Sequence, residues 1–477
     1  MGSRVAVRGR AIALVVVVAL GATACGSPAP ATPRPPDART VAAAITEEGL
    51  QARLEALAAA TDDSDEFRAV GSDGYDRAAT MVEDELAAAG WTVVRDEYTA
   101  PAFADDGRST LEVGDRTFDG HAVLPLIFAP AGDVEGPVVA IDLDPDAADR
   151  TGKGCAVTHY GDLPPEAIVV VRSGDCLRRE QVIAAQQAGA AAFIAVYPHA
   201  PPGIAYRPTL IEPRFMEIPA AGITREAADA LVAAARDGVT AHLRTTAETR
   251  SASTRSILAE LPGSQPGSVI MLGAHLDSVV DGPGINDDGS GVAALLEIAR
   301  ALGGTRPRAT IRLAFWSGEE LGLHGSFRYS SSLSTEDARA ILVYANVDMI
   351  ASPNGFAGVY DEPGAPAGST VARELLKAAV ERSGGTPVGV DLGGGSDHYG
   401  FAEAGVATAG VFSGASEPVT AEQAEASGAV EGRSADACYH RACDDIANAN
   451  VALARVLAAG LADFTVHVAN NPELLRH

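Results

Sequence analysis

Apolar residues recur at helical spacing over residues 42–60 and again over 74–90, where Gly90 supplies a stop signal. Residues 91–98 then read as a strand. Beyond about residue 121 the pattern changes. Short apolar runs at 137–143, 167–172 and 190–197 are separated by turns rich in Pro and Gly. From about residue 251 a third pattern runs to the end. Residues 269–272, 310–316, 341–347 and 406–412 are apolar strand candidates, interleaved with helical stretches at 290–302, 320–330, 369–382 and 448–467. Strands that alternate with helices predict a mostly parallel sheet covered on both faces. The expected fold class is therefore α/β, with a mixed, mostly parallel sheet flanked by helices. Ligands of such sheets bind beyond the carboxyl ends of the strands.

Composition narrows the setting. The chain has 477 residues, of which 47% are hydrophobic and only 5% aromatic. That predicts a large core built from aliphatic side chains, and a length of two domains plus a leader. A formal net charge of −27 repels phosphate backbones and excludes nucleic acid as a partner. Arg4, Arg8 and Arg10 precede an apolar run at 11–22 that is too short for an ordinary spanning helix. The following Ala22-Thr23-Ala24-Cys25 resembles a bacterial lipobox. On that reading residues 1–24 are a lipoprotein signal peptide and Cys25 is lipidated. Residues 25–40 are then a Pro/Ala-rich tether, and the protein sits on the extracytoplasmic face of a membrane. Four cysteines remain, Cys155, Cys176, Cys438 and Cys443, which in an exported chain read as two disulfides. Three pairings are open, and nearness in sequence favours Cys155 with Cys176 and Cys438 with Cys443.

The candidate chemistry lies at the predicted strand ends. His275 and Asp277 follow the first strand of the last segment, Glu319 and Glu320 the second, and Asp348 the third. Asp287 and Asp288 open the helix after the first strand, and Tyr439 and His440 lie between Cys438 and Cys443. Each is unremarkable alone, since acids favour helix starts and caps. Together, two histidines and several carboxylates on one sheet edge suit zinc. The carboxylates exceed what one tetrahedral ion needs, and a second ion would use the surplus.

These motifs carry a resemblance. Gly-Ala-His275-Leu-Asp277-Ser, Asn-Asp287-Asp-Gly-Ser-Gly, Glu319-Glu320-Leu-Gly, Asn346-Val-Asp348-Met, Ser396-Asp397-His398 and Tyr439-His440 stand in the order found in dizinc aminopeptidases. That family includes bacterial leucyl aminopeptidases and aminopeptidase Y, and residues 251–477 resemble its catalytic zinc peptidase domain. The resemblance implies a zinc exopeptidase fold that binds two Zn²⁺ per chain and acts on peptides with a free N-terminus. By the same resemblance Asp287 bridges the ions, His275 and Asp348 complete one site, and Glu320 and His440 complete the other. Glu319 is then the general base, Tyr439 a donor to the oxyanion, and Asp277 the residue that orients His275. His324 and His398 are expected to be structural. Some relatives have Arg where this chain has Gly395, so placement of the substrate terminus is expected to differ. Met349 and Phe412 are candidates for an apolar specificity pocket.

Residues 121–250 resemble a protease-associated (PA) domain, from the Cys155–Cys176 spacing, the 168–171 run and the apolar 190–197 run. That implies a β-rich α+β insert, with residues 41–120 forming the N-terminal part of the peptidase domain. Two other readings share the architecture. One is a non-catalytic, receptor-like binding protein such as the transferrin receptors, which lack part of the metal set. The other is a single-zinc glutaminyl cyclase.

Overall fold

A computed structural model describes residues 34–61, 67–141, 143, 154–173, 176–197, 200 and 203–476. The signal peptide, Cys25 and the start of the tether lie outside these residues. The periodic stretch at 42–60 is split into two helices, Ala38–Ala43 and Glu47–Thr61. The break has a local cause. Asp37 caps the first helix, and the Thr46 hydroxyl accepts from Gly49 N at 3.0 Å, a second cap that restarts the chain. A third helix, Asp73–Ala88, is capped by Ser72.

The first strand, β1 (Thr92–Ala104), runs past its expected end because it pairs along its whole length with a later strand. The chain then leaves for an insert. Its strands are β2 (Thr110–Val113), β3 (Arg116–Asp119), β4 (Val123–Pro125), β5 (Gly132–Ile141), β6 (Ile168–Arg172), β7 (Ala192–Val196), β8 (Ala220–Ile223) and β9 (Thr240–Thr245). They form one sheet in the order β3-β2-β9-β5-β6-β7-β8-β4. This sheet takes in β2 and β3, ahead of the boundary expected at residue 121, because β2 pairs antiparallel with β9. Alternation on β6 sends Val169 and Val171 to one face and Ile168 and Val170 to the other. The helix Arg178–Gln187 covers the first face and Arg225–Asp237 the second. Cys155 and Cys176 are joined in a disulfide.

The chain returns in β10 (Glu248–Leu261), whose Glu248 lies opposite Ala104, so the insert departs and re-enters at one point. There follow β11 (Val269–His275), β12 (Thr310–Trp316), β13 (Ile341–Val347), β14 (Gly358–Tyr360), β15 (Val388–Val390) and β16 (Thr408–Phe412). The sheet order is β1-β10-β12-β11-β13-β16-β14-β15, and β12, β11, β13 and β16 are mutually parallel. Ile270, Leu272, Leu313, Phe315 and Val343 face the helices Gly289–Leu302 and Val451–Asn470. Met271, Trp316 and Tyr344 face the opposite side, where Phe401 stacks on Tyr344. Each such buried side chain contributes about 1.5–3 kcal/mol relative to exposure. The helix Val451–Asn470 is long and apolar enough to cross a membrane, but Leu457, Leu461 and Phe464 are buried in this core.

Candidate metal centre

The three central strands deliver their polar residues to one edge. His275 is the last residue of β11, Asp348 directly follows β13, and Glu319 and Glu320 lie in the turn after β12. A helix was expected from residue 320, but it starts only at His324. The backbone turns left-handed at Gly322 and Leu323, which breaks a helical run from residue 320. Asp277 fixes the turn before it: its Oδ1 accepts from Gly318 N at 2.8 Å and Glu319 N at 3.2 Å, and its Oδ2 accepts from Glu320 N at 3.3 Å. The two glutamates are thus held in a turn that faces the cleft.

Asp277 was expected to orient His275. Its carboxylate lies 4.0 Å from His275 Nδ1, whereas its carbonyl oxygen lies 3.0 Å away. A carbonyl only accepts, so Nδ1–H is the donor and the Nε2 lone pair is directed into the cleft. Asp287 stands between the two histidines. Its Oδ1 is 3.2 Å from His275 Nε2, and its Oδ2 is 3.2 Å from His440 Nε2. Asp348 Oδ1 lies 3.8 Å from His275 Nε2, while Glu320 Oε2 lies 3.0 Å from His440 Nε2.

Neighbouring residues with similar chemistry have other work. Asp288 caps the helix Gly289–Leu302 through Gly291 N, and it also accepts from His275 N and Met349 N. Its oxygens are therefore occupied by backbone donors. Ser396 donates to Asp348 Oδ2 at 2.6 Å and accepts from Asn346 Nδ2 at 2.7 Å, which fixes the Asp348 carboxylate from behind. His398 faces Glu362 at 2.8 Å, and His324 packs edge-on to Phe128.

Three positions that sequence reasoning missed hold the scaffold. Arg68 is fully buried and donates to the carbonyls of Leu276, Pro283 and Gly284, spanning the loop from His275 to Asp287. Asp444 accepts from Asn286 N at 2.9 Å and Asp287 N at 3.0 Å, while its carbonyl accepts from Ile285 N. Asp436 accepts from the Asn286 side chain at 2.7 Å. Burial and the nearby Asp436 push Asp444 up to about 7, against the pull of those backbone donors. Cys438 and Cys443 are joined, and the short loop they close presents Tyr439 and His440 with their rings stacked at 3.8 Å.

The electrostatics are those of a site built around cations. Burial, together with Asp287, pushes Glu320 up to about 7 against the pull of His440. Burial also pushes Glu319 and Asp397 up, with neighbouring carboxylates adding to the shift. Burial acts to lower both His275 and His440, but the facing carboxylates outweigh it and raise them. Asp287 Oδ2 and Glu320 Oε1 are buried and lack a hydrogen-bond donor among the described residues. Unpaired lone pairs that converge with two imidazoles are the donor set zinc takes, so these residues fit the ion. Donor atoms of His275, Asp287 and Glu320 all lie within 4.8 Å of one another. A cleft of about 470 Å³ opens above them, walled by Met349, Phe356, Val390, Leu392 and Phe412.

The chain is similar to known proteins along nearly its whole length. Residues 256–465 match the model of peptidase family M28, and residues 134–231 match that of the PA domain. The probable lipoprotein aminopeptidase LpqL of Mycobacterium tuberculosis is 34% identical over 88% of this chain and 84% of its own length. An aminopeptidase of Pseudomonas aeruginosa is 32% identical over 83% of this chain and 76% of its own. Among solved structures, the aminopeptidase from Aneurinibacillus sp. strain AM-1 superposes with a TM-score of 0.72 at 22% identity, covering 91% of this chain and 96% of that one. The zinc aminopeptidase BSAP from Bacillus subtilis gives 0.68 at 21% identity, with 90% and 96% covered. By its matched motifs and by these relatives, the chain belongs to peptidase family M28 and carries a PA domain.

Proposed function

We propose that this chain is an exported, lipid-anchored aminopeptidase that removes N-terminal residues, chiefly apolar ones, using two zinc ions. One observation carries the reading: the two oxygens of Asp287 each face the Nε2 of a different histidine. Asp287, His275 and Asp348 would hold one ion, and Asp287, Glu320 and His440 the other. When bound, the ions acidify a water and polarise the scissile carbonyl.

The remaining steps belong to the protein. Glu319 lines the cleft with no hydrogen-bond partner among the described residues, so its carboxylate is free to take a proton from the attacking water and return it to the leaving amine. Burial beside Asp287 and Glu320 raises the Tyr439 phenol and keeps its proton available for donation to the oxyanion. Acidic groups at the cleft edge receive the free α-amine, and Met349 and Phe412 receive the first side chain.

Hydrolysis of aminoacyl anilides, free and N-acetylated, with and without chelator, tests the reading, alongside elemental analysis. Two zinc ions per chain, loss of activity on chelation and very poor cleavage of blocked substrates are expected. A reproducible content of one zinc with full activity would overturn the two-ion mechanism. Equal cleavage of blocked peptides would make the protein an endopeptidase.

A further inference from the structure

The insert meets the cleft along residues 205–211, between β7 and β8. Arg207 is buried, with its guanidinium 2.8 Å from Asp105 and 3.1 Å from Asp281. Asp281 belongs to the loop that joins His275 to Asp287. Two residues on, the Thr209 hydroxyl donates to the carbonyl of Leu321 at 3.2 Å, next to Glu320. Ile211 lies flat on Gly322. A Cβ there would come within 3.1 Å of Ile211 Cγ2, so only glycine admits this approach without displacement. Leu321 itself is buried among Ile127, Phe128 and Leu210 of the insert. One short segment of the insert thus touches the loops that follow β11 and β12.

We infer that residues 205–211 are a positioning element of the active site, by which the insert holds the loops bearing Asp287 and Glu320 in register. This rests on the two-zinc reading above and extends it. The peptidase domain fixes the Glu319–Glu320 turn from one side through Asp277, and the insert fixes it from the other through Thr209 and Ile211. Neither group touches substrate. Their effect reaches the chemistry through the placement of Glu319 and Glu320, where an error of about 1 Å from a distant change can lower the rate on the order of a hundredfold.

Thr209→Val, Ile211→Ala and Arg207→Met in the full-length, zinc-loaded chain test this, with Arg116→Ala as a control. Arg116 makes an exposed ion pair with Glu226, elsewhere on the insert. Turnover and KM are measured on a leucyl anilide, and zinc loss to a chelator is followed separately. The positioning variants are expected to lower kcat on the order of ten- to a hundredfold, leave KM within about twofold, and release zinc faster. Arg207→Lys should recover part of the loss, and Arg116→Ala should match the unaltered protein. Unchanged kcat and zinc release, with only a lower melting temperature, would mean that the insert merely packs against its host. A change confined to KM would make it a screen for substrate. Either result overturns the inference. Should Ile211→Ala fold poorly, Thr209→Val decides, because it keeps the side chain's shape and removes only the hydroxyl that donates to Leu321 O and accepts from Ile211 N. If the unaltered protein itself neither holds zinc nor cleaves the anilide, it is the parent reading that fails.

Discussion

Glu319 and Glu320 are neighbours in the chain with different surroundings. Glu320 faces His440 at 3.0 Å, while the Glu319 carboxylate lines the cleft without a hydrogen-bond partner among the described residues. Glu319→Gln keeps the shape and cannot accept a proton. It is expected to retain both zinc ions and to lower turnover by about 10²–10⁴-fold, the usual scale of general acid–base catalysis. Glu320→Gln should weaken one zinc site, since an amide is a poorer ligand than a carboxylate. Metal analysis of both variants, once circular dichroism shows them folded, checks this. Loss of zinc from Glu319→Gln alone would reverse the two assignments. The convergence of His275, Asp287, Glu320, Asp348 and His440 was legible in the sequence, because each is a metal-ligating residue type standing in a recognisable motif. Arg68, Asp444 and Asp436 were not. Arg68 grips carbonyls and Asp444 grips backbone N–H groups, and every residue has those. Asp277 lay between the two cases: its place in the site was readable, but its three backbone bonds to residues 318–320 were not.

Elements were readable where periodicity alone decides them. The cores of β11, β12 and β13 and the helices Gly289–Leu302 and Ser369–Arg382 fall close to the apolar patterns that predicted them. Boundaries failed where local geometry redirected the backbone, as Thr46 does by restarting a helix and the left-handed Gly322 and Leu323 do by delaying one. The loop Asp436–Asp444 and the turn Gly284–Asp288 show the same principle across elements. Asp444 binds two successive N–H groups of that turn, so His440 and Asp287 are held to each other through the backbone. Asp444→Asn replaces one acceptor oxygen with a donor that must face a buried N–H. A loss of about 1–3 kcal/mol, the range for an unsatisfied buried donor, is expected in urea unfolding. Zinc retention and kcat should fall with it. A variant of unaltered stability and metal affinity would show that the Asp287 amide finds another acceptor.

At the scale of the whole molecule, the described amino end of the chain packs away from the metal centre. The described chain begins at Arg34, whose carbonyl accepts from Arg306 N at 2.9 Å, and Pro36 accepts from Asn470 at 2.8 Å. Both contacts lie by the amino ends of the parallel strands, since Arg306 shortly precedes β12 and Ala309 N donates to Ala469 O. The metal centre lies at the carboxyl ends, one strand length away, or roughly 20 Å at the usual rise per residue. A lipid on Cys25, implied by the lipobox-like Ala22-Thr23-Ala24-Cys25, would anchor the chain. Cys25→Ser is accordingly expected to move the protein out of the membrane fraction or block its processing. The released protein should keep kcat/KM on a small anilide within about twofold, because Arg34 and Pro36 bond to Arg306 and Asn470, away from the metal centre. Fractionation and steady-state assay of the same preparation check both halves. Normal processing with unchanged membrane retention would count against lipidation. A large fall in kcat/KM on release would mean that the anchored end of the chain helps to shape the site.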